Sequence, residues 1–444
     1  MMHGITLHSL RRNNSRRSRW SAQKLIASCI CLLSAMHIVF VSHYIKKIPH
    51  PSNSFGNDGP VDGNAPIQKY GLTNQDHHAD QLQKKNTAKA TIAFAVSLTS
   101  CSAKFTADGA AILKHSIHLA SYPINENSKY SYKMFLFVHP SALECSKPFE
   151  KLGYEVLVKE VPINVSEIEG TFLREHVYKS GCCGDKEFLK LYAYTLMDFP
   201  IVVHLDLDSL ILQPLDELFD AMLGDESHSE ISVMYNNEMP RNIEAFFSKD
   251  YNMINPGHKH PGVQGGFLVI KPNMEYFEEY KSIILKGDFR SGGGWDGKYG
   301  GYFGAQQIQG LCSYFFGARH SGTAVELNRC IYNAMNDGPY GKKRGTKNEM
   351  ACRDGKKTCE DCRDTKIELV KSVHFTLCQK PWTCPVALTD KLPLCKEFHK
   401  KWFQIRKSWD GERGITMENV KKNDIFQGYC NGQGERNYKS VTIV

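Results

Sequence analysis

From Thr91 onward, short oily runs alternate with segments of helical spacing. TIAFAVSL (Thr91–Leu98) is rich in β-branched and apolar residues. In ADGAAILKHSIHLAS, which follows, Ala111, Ile112, His115 and Leu119 recur at near-helical intervals. YKMFLFV (132–138) and EVLVKEV (155–161) read as strands on either side of PSALECSKPFEKLG, a helix and turn. EFLKLYAYTLMDF (187–199) reads as a helix with Phe188, Leu191, Ala193, Tyr194 and Leu196 as its apolar set. IVVHLDLDSLIL (201–212) reads as one strand, stopped by Pro214 before a helix begins in LDELFD. Strands alternating with helices predict an α/β fold, a mostly parallel sheet flanked by helices. Such sheets bind ligands at the carboxyl ends of their strands.

Before Thr91 the pattern is different. Residues 1–24 form a basic tail holding Arg11, Arg12, Arg16, Arg17, Arg19 and Lys24, and LIASCICLLSAMHIVFV (Leu25–Val41) carries no charge. Extended to Ile45, this run reaches the ~17–25 residues of a membrane-spanning helix. Positive charge is heavier on its N-terminal side, which predicts a type II signal anchor with the tail in the cytosol. A cleaved signal peptide fits less well, because the basic region is long and no small-x-small site closes the run. Residues 46–90, rich in Pro, Gly, Asn and Asp, read as a disordered stalk. The body then divides into a catalytic domain at 91–410 and a C-terminal extension at 411–444.

The net charge of +8 sits largely in the tail and between about 340 and 410. Neither region interleaves aromatic and basic residues as single-strand binders do, so no nucleic-acid partner is expected. Of the 15 cysteines, all but Cys29 and Cys31 fall beyond the anchor, a density that suits an oxidising lumen. Cys352, Cys359, Cys362, Cys378, Cys384 and Cys395 are expected to form disulfides rather than a zinc site, since Cys359-x-x-Cys362 has no second matching pair. The remainder is odd, so at least one thiol is left over. Asn164-Val165-Ser166 is an N-glycosylation triplet, usable if lumenal.

Asp206 and Asp208 interrupt the oily run 201–212. In an unbroken strand they share a face with Cα atoms ~6.5–7 Å apart. Buried carboxylates need partners. A hard divalent cation, Mn²⁺ or Mg²⁺, would serve both; alternatively the strand ends near 207, or a basic side chain pairs with them.

HLDLDSLILQPLDELF resembles the metal-site segment of glycosyltransferase family 8, the glycogenin-like and galactinol-synthase-like enzymes of the GT-A fold. By motif order the resemblance covers roughly residues 91–385. It implies that Asp206 and Asp208 hold Mn²⁺, which holds the diphosphate of a UDP-sugar. VSLTSCSAKF falls where the family binds uracil and ribose, implying contacts from Leu98, Thr99 and Ser100; Cys101 stands where the family often has Asn. FLKLYAYTL places Lys190 at a donor-contacting position. SVHFTLCQKPW is similar to a His-Phe-x-Gly-x-x-Lys-Pro-Trp segment, implying His374 as third metal ligand and Lys380 as the diphosphate's counter-charge, with Leu377 in place of Gly. In GVQGGFLVIKP, Gln264 and Gly265 replace the Asn and Ser that would meet the sugar. Ile308 stands where the family has an Asp before Gln309 and Gly310; Asp296 substitutes for it, or the role is absent.

The resemblance implies a retaining, Mn²⁺-dependent transferase that moves a hexose from a UDP-sugar to a glycan, protein or small-polyol hydroxyl, with Lys190, Gln264 and Lys380 as catalytic residues. A single-pass type II protein of the Golgi membrane is the expected setting. Two other readings use the same residues: a non-catalytic lumenal sugar- or nucleotide-binding protein that kept the fold, and a secreted disulfide-rich structural protein.

Overall fold

Nine strands and five helices suffice to place the site. A computed structural model of the chain describes residues 88–102, 104–224, 231, 233, 239–343, 349–416 and 424–443. The tail, the apolar segment Leu25–Ile45 and the stalk as far as residue 87 lie outside the described residues. Among those described, no helix is long and apolar enough to cross a membrane.

In chain order the elements are β1 (Ala90–Leu98), α1 (Thr106–Ala120), β2 (Tyr130–Val138), β3 (Glu155–Val158), β4 (Val202–Leu205), β5 (Ser209–Ile211), α2 (Asp216–Leu223), β6 (Ala245–Lys249) and β7 (Val263–Ile270). They continue with α3 (Met274–Lys286), α4 (Ile308–Tyr314), β8 (Ala324–Glu326), β9 (Ser372–His374) and α5 (Pro393–Gly411). Seven strands form the central sheet in the order β8-β6-β7-β4-β1-β2-β3. Only β7 runs against its neighbours; the other pairings are parallel. The expected mixed α/β architecture with a mostly parallel sheet is what forms.

Alternation along each strand feeds two cores. Ile92, Phe94 and Val96 of β1 join Met134 and Leu136 of β2 on the α1 face. Ala93, Ala95, Phe135 and Phe137 point the other way, under α3 and α4. A sheet buried on both faces reads as continuous apolar runs, which is the pattern seen from Thr91.

Two sequence expectations need correction. The run 201–212 is not one strand. β4 ends at Leu205, residues 206–208 turn with Ser209 N–H donating to Asp206 O at 3.0 Å, and β5 leaves the main sheet to pair antiparallel with β9. Both halves stay buried, β4 between β1 and β7 and β5 beneath α1, so hydrophobicity carries across the break without a mark. The helix expected at 187–199 is wound instead as 3₁₀ turns over Gly184–Thr195. That repeat eclipses residues three apart, and it stacks Glu187 on Lys190.

Among the described residues, five disulfides join Cys101 to Cys145, Cys330 to Cys362, Cys352 to Cys359, Cys378 to Cys395, and Cys384 to Cys430. The six cysteines singled out in sequence are all cross-linked, two of them to Cys330 and Cys430 outside the group. Residues 424–443 are stitched to the body by Cys384–Cys430 and by Asp108, which accepts from Tyr438 OH and from Val441 N–H, each at 2.7 Å.

Candidate active site

The β5–β9 ladder brings the site together. In its register His374 lies opposite Ser209, and Phe375 N–H donates to Asp208 O at 2.9 Å. The turn at 206–208 swings both acids toward the same imidazole. His374 Nε2 is 3.4 Å from Asp208 Oδ1 and 3.8 Å from Asp206 Oδ2. One ligand atom from each of the three residues lies within 4.8 Å of the others. Adjacent ligands of a six-coordinate cation at ~2.2 Å are about 3 Å apart, and opposed ones about 4.4 Å, so this spacing suits an oxygen-preferring divalent ion.

Two further features fit an ion. A Cβ on Gly266 would lie 2.5 Å from His374 Cε1 and 2.9 Å from Asp206 Oδ2, so glycine is what lets β7 pass behind both ligands. The donor set is two carboxylates and one imidazole, a combination suited to Mn²⁺.

Two lysines stand on the acids. Lys190, 7% exposed, donates to Asp206 Oδ1 at 2.8 Å and to Gly265 O at 3.0 Å, and pairs with Glu187 at 3.2 Å. An ammonium has three N–H groups, and these partners take all three. Lys190 therefore sits behind Asp206 and aims it, rather than presenting a free donor. Lys380 contacts Asp208 Oδ2 from the mouth, with 47% of its side chain exposed.

Electrostatics follow from this packing. Burial alone would raise both carboxyls. Around Asp206, Lys190 and His374 outweigh it and hold the group below the ordinary range; around Asp208, His374 and Lys380 hold it well below. Burial would lower His374, but the two acids win and raise it. In the metal-free protein the two acids favour the protonated imidazole, and a metal must displace that proton. Divalent-cation affinity is expected to rise with pH, by up to about tenfold per unit, until the raised His374 pKa is passed. Calorimetric titration with Mn²⁺ at several pH values checks this; a flat profile would contradict it.

The remaining predicted residues are partly gathered. Leu98 ends β1, with Thr99 and Ser100 following it, and β1 runs parallel to β4 with Ala95 opposite His204, so the two strand ends open at one edge of the sheet. Leu98 is buried, Thr99 O accepts from Lys186 Nζ at 3.4 Å, and Ser100 Oγ pairs with Ser102 Oγ. Gln264 is buried on β7, its Oε1 accepting from Gly266 N–H at 2.6 Å. The left-handed residue before Lys380 is Gln379, not Leu377, so the missing glycine imposes nothing there. Asp296 is half exposed and paired with Lys298 at 3.0 Å. The carboxylate that faces Gln309 is Asp250, at 3.2 Å; it is buried, and its second oxygen has no partner among the described residues.

No family model matches the chain, and no curated protein does. Solved structures similar to it include the WbbM bifunctional glycosyltransferase in its apo form, at 13% identity over 71% of this chain and 51% of that one, with a TM-score of 0.37. Mouse Xyloside xylosyltransferase 1 is 12% identical over 55% of this chain and 86% of that one, at 0.33. LgtC galactosyltransferase, in complex with donor and acceptor sugar analogs, is 12% identical over 69% and 94%, at 0.37. The chain spans about half the length of the first of these. Likeness at this level assigns no activity to the chain.

Glu187, Asp250 and Gly266 were not singled out by sequence reasoning. Glu187 stands three residues before Lys190, a spacing that faces it in an α-helix as in a 3₁₀ turn, but no role was attached to it. Asp250 carried no local motif. Gly266 was visible as the second glycine of Gln264-Gly-Gly, without a reason attached.

Proposed function

We propose that this chain is a divalent-cation-dependent glycosyltransferase that moves a hexose from a UDP-sugar to an acceptor hydroxyl, in the lumen of the secretory pathway. The observation that carries this reading is the meeting of Asp206, Asp208 and His374 at the carboxyl edge of the sheet, with Lys380 at the mouth. Asp206 and Asp208 would hold Mn²⁺ or Mg²⁺ with His374. When bound, the cation neutralises the diphosphate that departs from the sugar.

The chain's own residues do the rest. Lys190 fixes Asp206 and, through Glu187, is itself fixed. Lys380 is exposed enough to leave Asp208 for a phosphate oxygen, adding positive charge where the leaving group becomes negative. Leu98, Thr99 and Ser100 offer the strand end for the nucleoside. Gln264, whose carbonyl is occupied by Gly266, has its amide N–H groups to present to the sugar. Retention of anomeric configuration, through front-face displacement, goes with the reading.

A second reading is favoured by one observation: the two acids already have lysine partners, a balance complete without a cation. It makes the chain a non-catalytic binder of a nucleotide or sugar. Full-length protein with Mn²⁺ and a panel of UDP-sugars separates the two. The transferase reading expects UDP release that EDTA abolishes. Binding of UDP or a UDP-sugar without release, with or without Mn²⁺, would favour the binder, and neither release nor binding would sink both.

A further inference from the structure

Three described cysteines are outside the disulfides: Cys312, which is buried, and the neighbours Cys182 and Cys183. The pair lies in Gly181-Cys182-Cys183-Gly184, directly before the 3₁₀ turns that carry Glu187 and Lys190. Its two sulfurs are 2.9 Å apart, with Cys182 exposed and Cys183 partly so.

The loop is built to hold them there. Gly181 and Gly184 take φ of 59° and 64°, a region L side chains rarely adopt. A Cβ on Gly184 would meet Tyr178 O at 2.5 Å, and one on Gly181 would strike the Gln307 side chain. Gln307 Nε2 donates to Ser180 O at 2.9 Å and to Gly184 O, clamping both ends of the dipeptide. Cys182 Sγ donates to Glu187 Oε1 at 3.1 Å. That contact starts a chain through Glu187 to Lys190 and on to Asp206. Proton sharing between the two sulfurs raises the Cys182 thiol and lowers that of Cys183, which favours one attacking thiolate.

We infer that Cys182 and Cys183 are a redox-active vicinal dithiol, a modification site beside the proposed donor site that closes to a disulfide. A bonded pair needs ~2.05 Å, so the sulfurs must approach by less than an ångström. The oxidant is a low-molecular-weight disulfide. One cysteine thiolate attacks one of its sulfurs and expels the first thiolate. The neighbouring sulfur then attacks the mixed disulfide and expels the second, and the two cysteine protons go to the departing thiolates. The cluster with Glu187 also resembles a three-ligand metal set, but Cys182 and Cys183 are closer than the ~3.7 Å of two thiolates on a tetrahedral zinc, and the approach favours the bond.

The test is chemical and stands apart from the transferase reading. Full-length native protein is treated with oxidised glutathione, alkylated and cut with trypsin; the peptide Ser180–Lys186 carries both sulfurs. The expected result is a peptide lighter by two hydrogens, carrying no glutathione and no alkyl group, and restored by reductant. Cys182→Ser, which keeps the attacking thiol and removes the resolving one, should stop at the mixed disulfide, one glutathione on Cys183. Two alkyl groups or retained glutathione in the wild type would overturn the inference, as would a Cys183 that fails to react in the variant.

Discussion

Asp208→Asn is expected to lower metal-dependent UDP release by about 100-fold or more. Asparagine keeps the size of the side chain, and the main-chain carbonyl of residue 208 still accepts from Phe375 N–H, so the turn between β4 and β5 should survive. What disappears is charge. Asp208 is the acid that both His374 and Lys380 contact, and an amide is a poor ligand for a hard cation without its anion. Lys380 is left in water rather than buried, so the stability cost should be modest, about 1–2 kcal/mol by thermal unfolding. A variant that unfolded outright would leave the kinetic loss uninterpretable, so melting is measured beside turnover. Near-wild-type turnover in a folded Asp208→Asn protein would remove Asp208 from the site.

Gly266→Ala should be nearly as damaging, although no ligand atom is deleted. The added methyl would press on the His374 ring and on Asp206 Oδ2 from the β7 side, and both must move apart to admit it. Overpacking of this kind costs about 1–3 kcal/mol. Displacing ligands without removing them should weaken the cation by about 10–100-fold, the range seen when a ligand's supporting shell is disturbed. Gly265→Ala is the control. Its Cβ meets Ile308 Cγ2 at 3.4 Å and Lys190 Nζ at 3.6 Å, which are ordinary contacts. The account expects a wide gap between the two variants in Mn²⁺ affinity measured by calorimetry. Equal losses, or none in Gly266→Ala, would show that the β7 glycine has no bearing on the ligands.

Much of the scaffold was legible in the chain. Strands at 91–98 and 132–138 were marked by apolar runs because a doubly covered sheet buries most of both their faces, and they form at Ala90–Leu98 and Tyr130–Val138; the run at 155–161 forms the shorter, half-exposed edge strand Glu155–Val158. The break after Leu205 was open only as an alternative, a strand ending near 207, and hydropathy did not mark it. Hydropathy reports burial, and β4 and β5 are equally buried in different sheets. For the same reason the acids' shared orientation was expected from strand alternation, whereas a turn produces it. Convergence with His374 came from motif order alone, since 166 positions separate it from Asp208 and nothing local encodes the β5–β9 pairing. Disulfide formation followed from cysteine density, but its connectivity depends on which loops meet, and Cys330 and Cys430 had no spacing to recommend them. Asp250 shows the same limit, reaching Gln309 across 59 positions.

The most direct measurement locates the cation. Crystals grown with Mn²⁺ and UDP, with data collected at the manganese edge, should give an anomalous peak about 2.0–2.3 Å from an oxygen of Asp206, an oxygen of Asp208 and Nε2 of His374, with Lys380 drawn away from Asp208 toward phosphate. A peak elsewhere, or none, with Lys190 and Lys380 still seated on the two acids, would contradict the account.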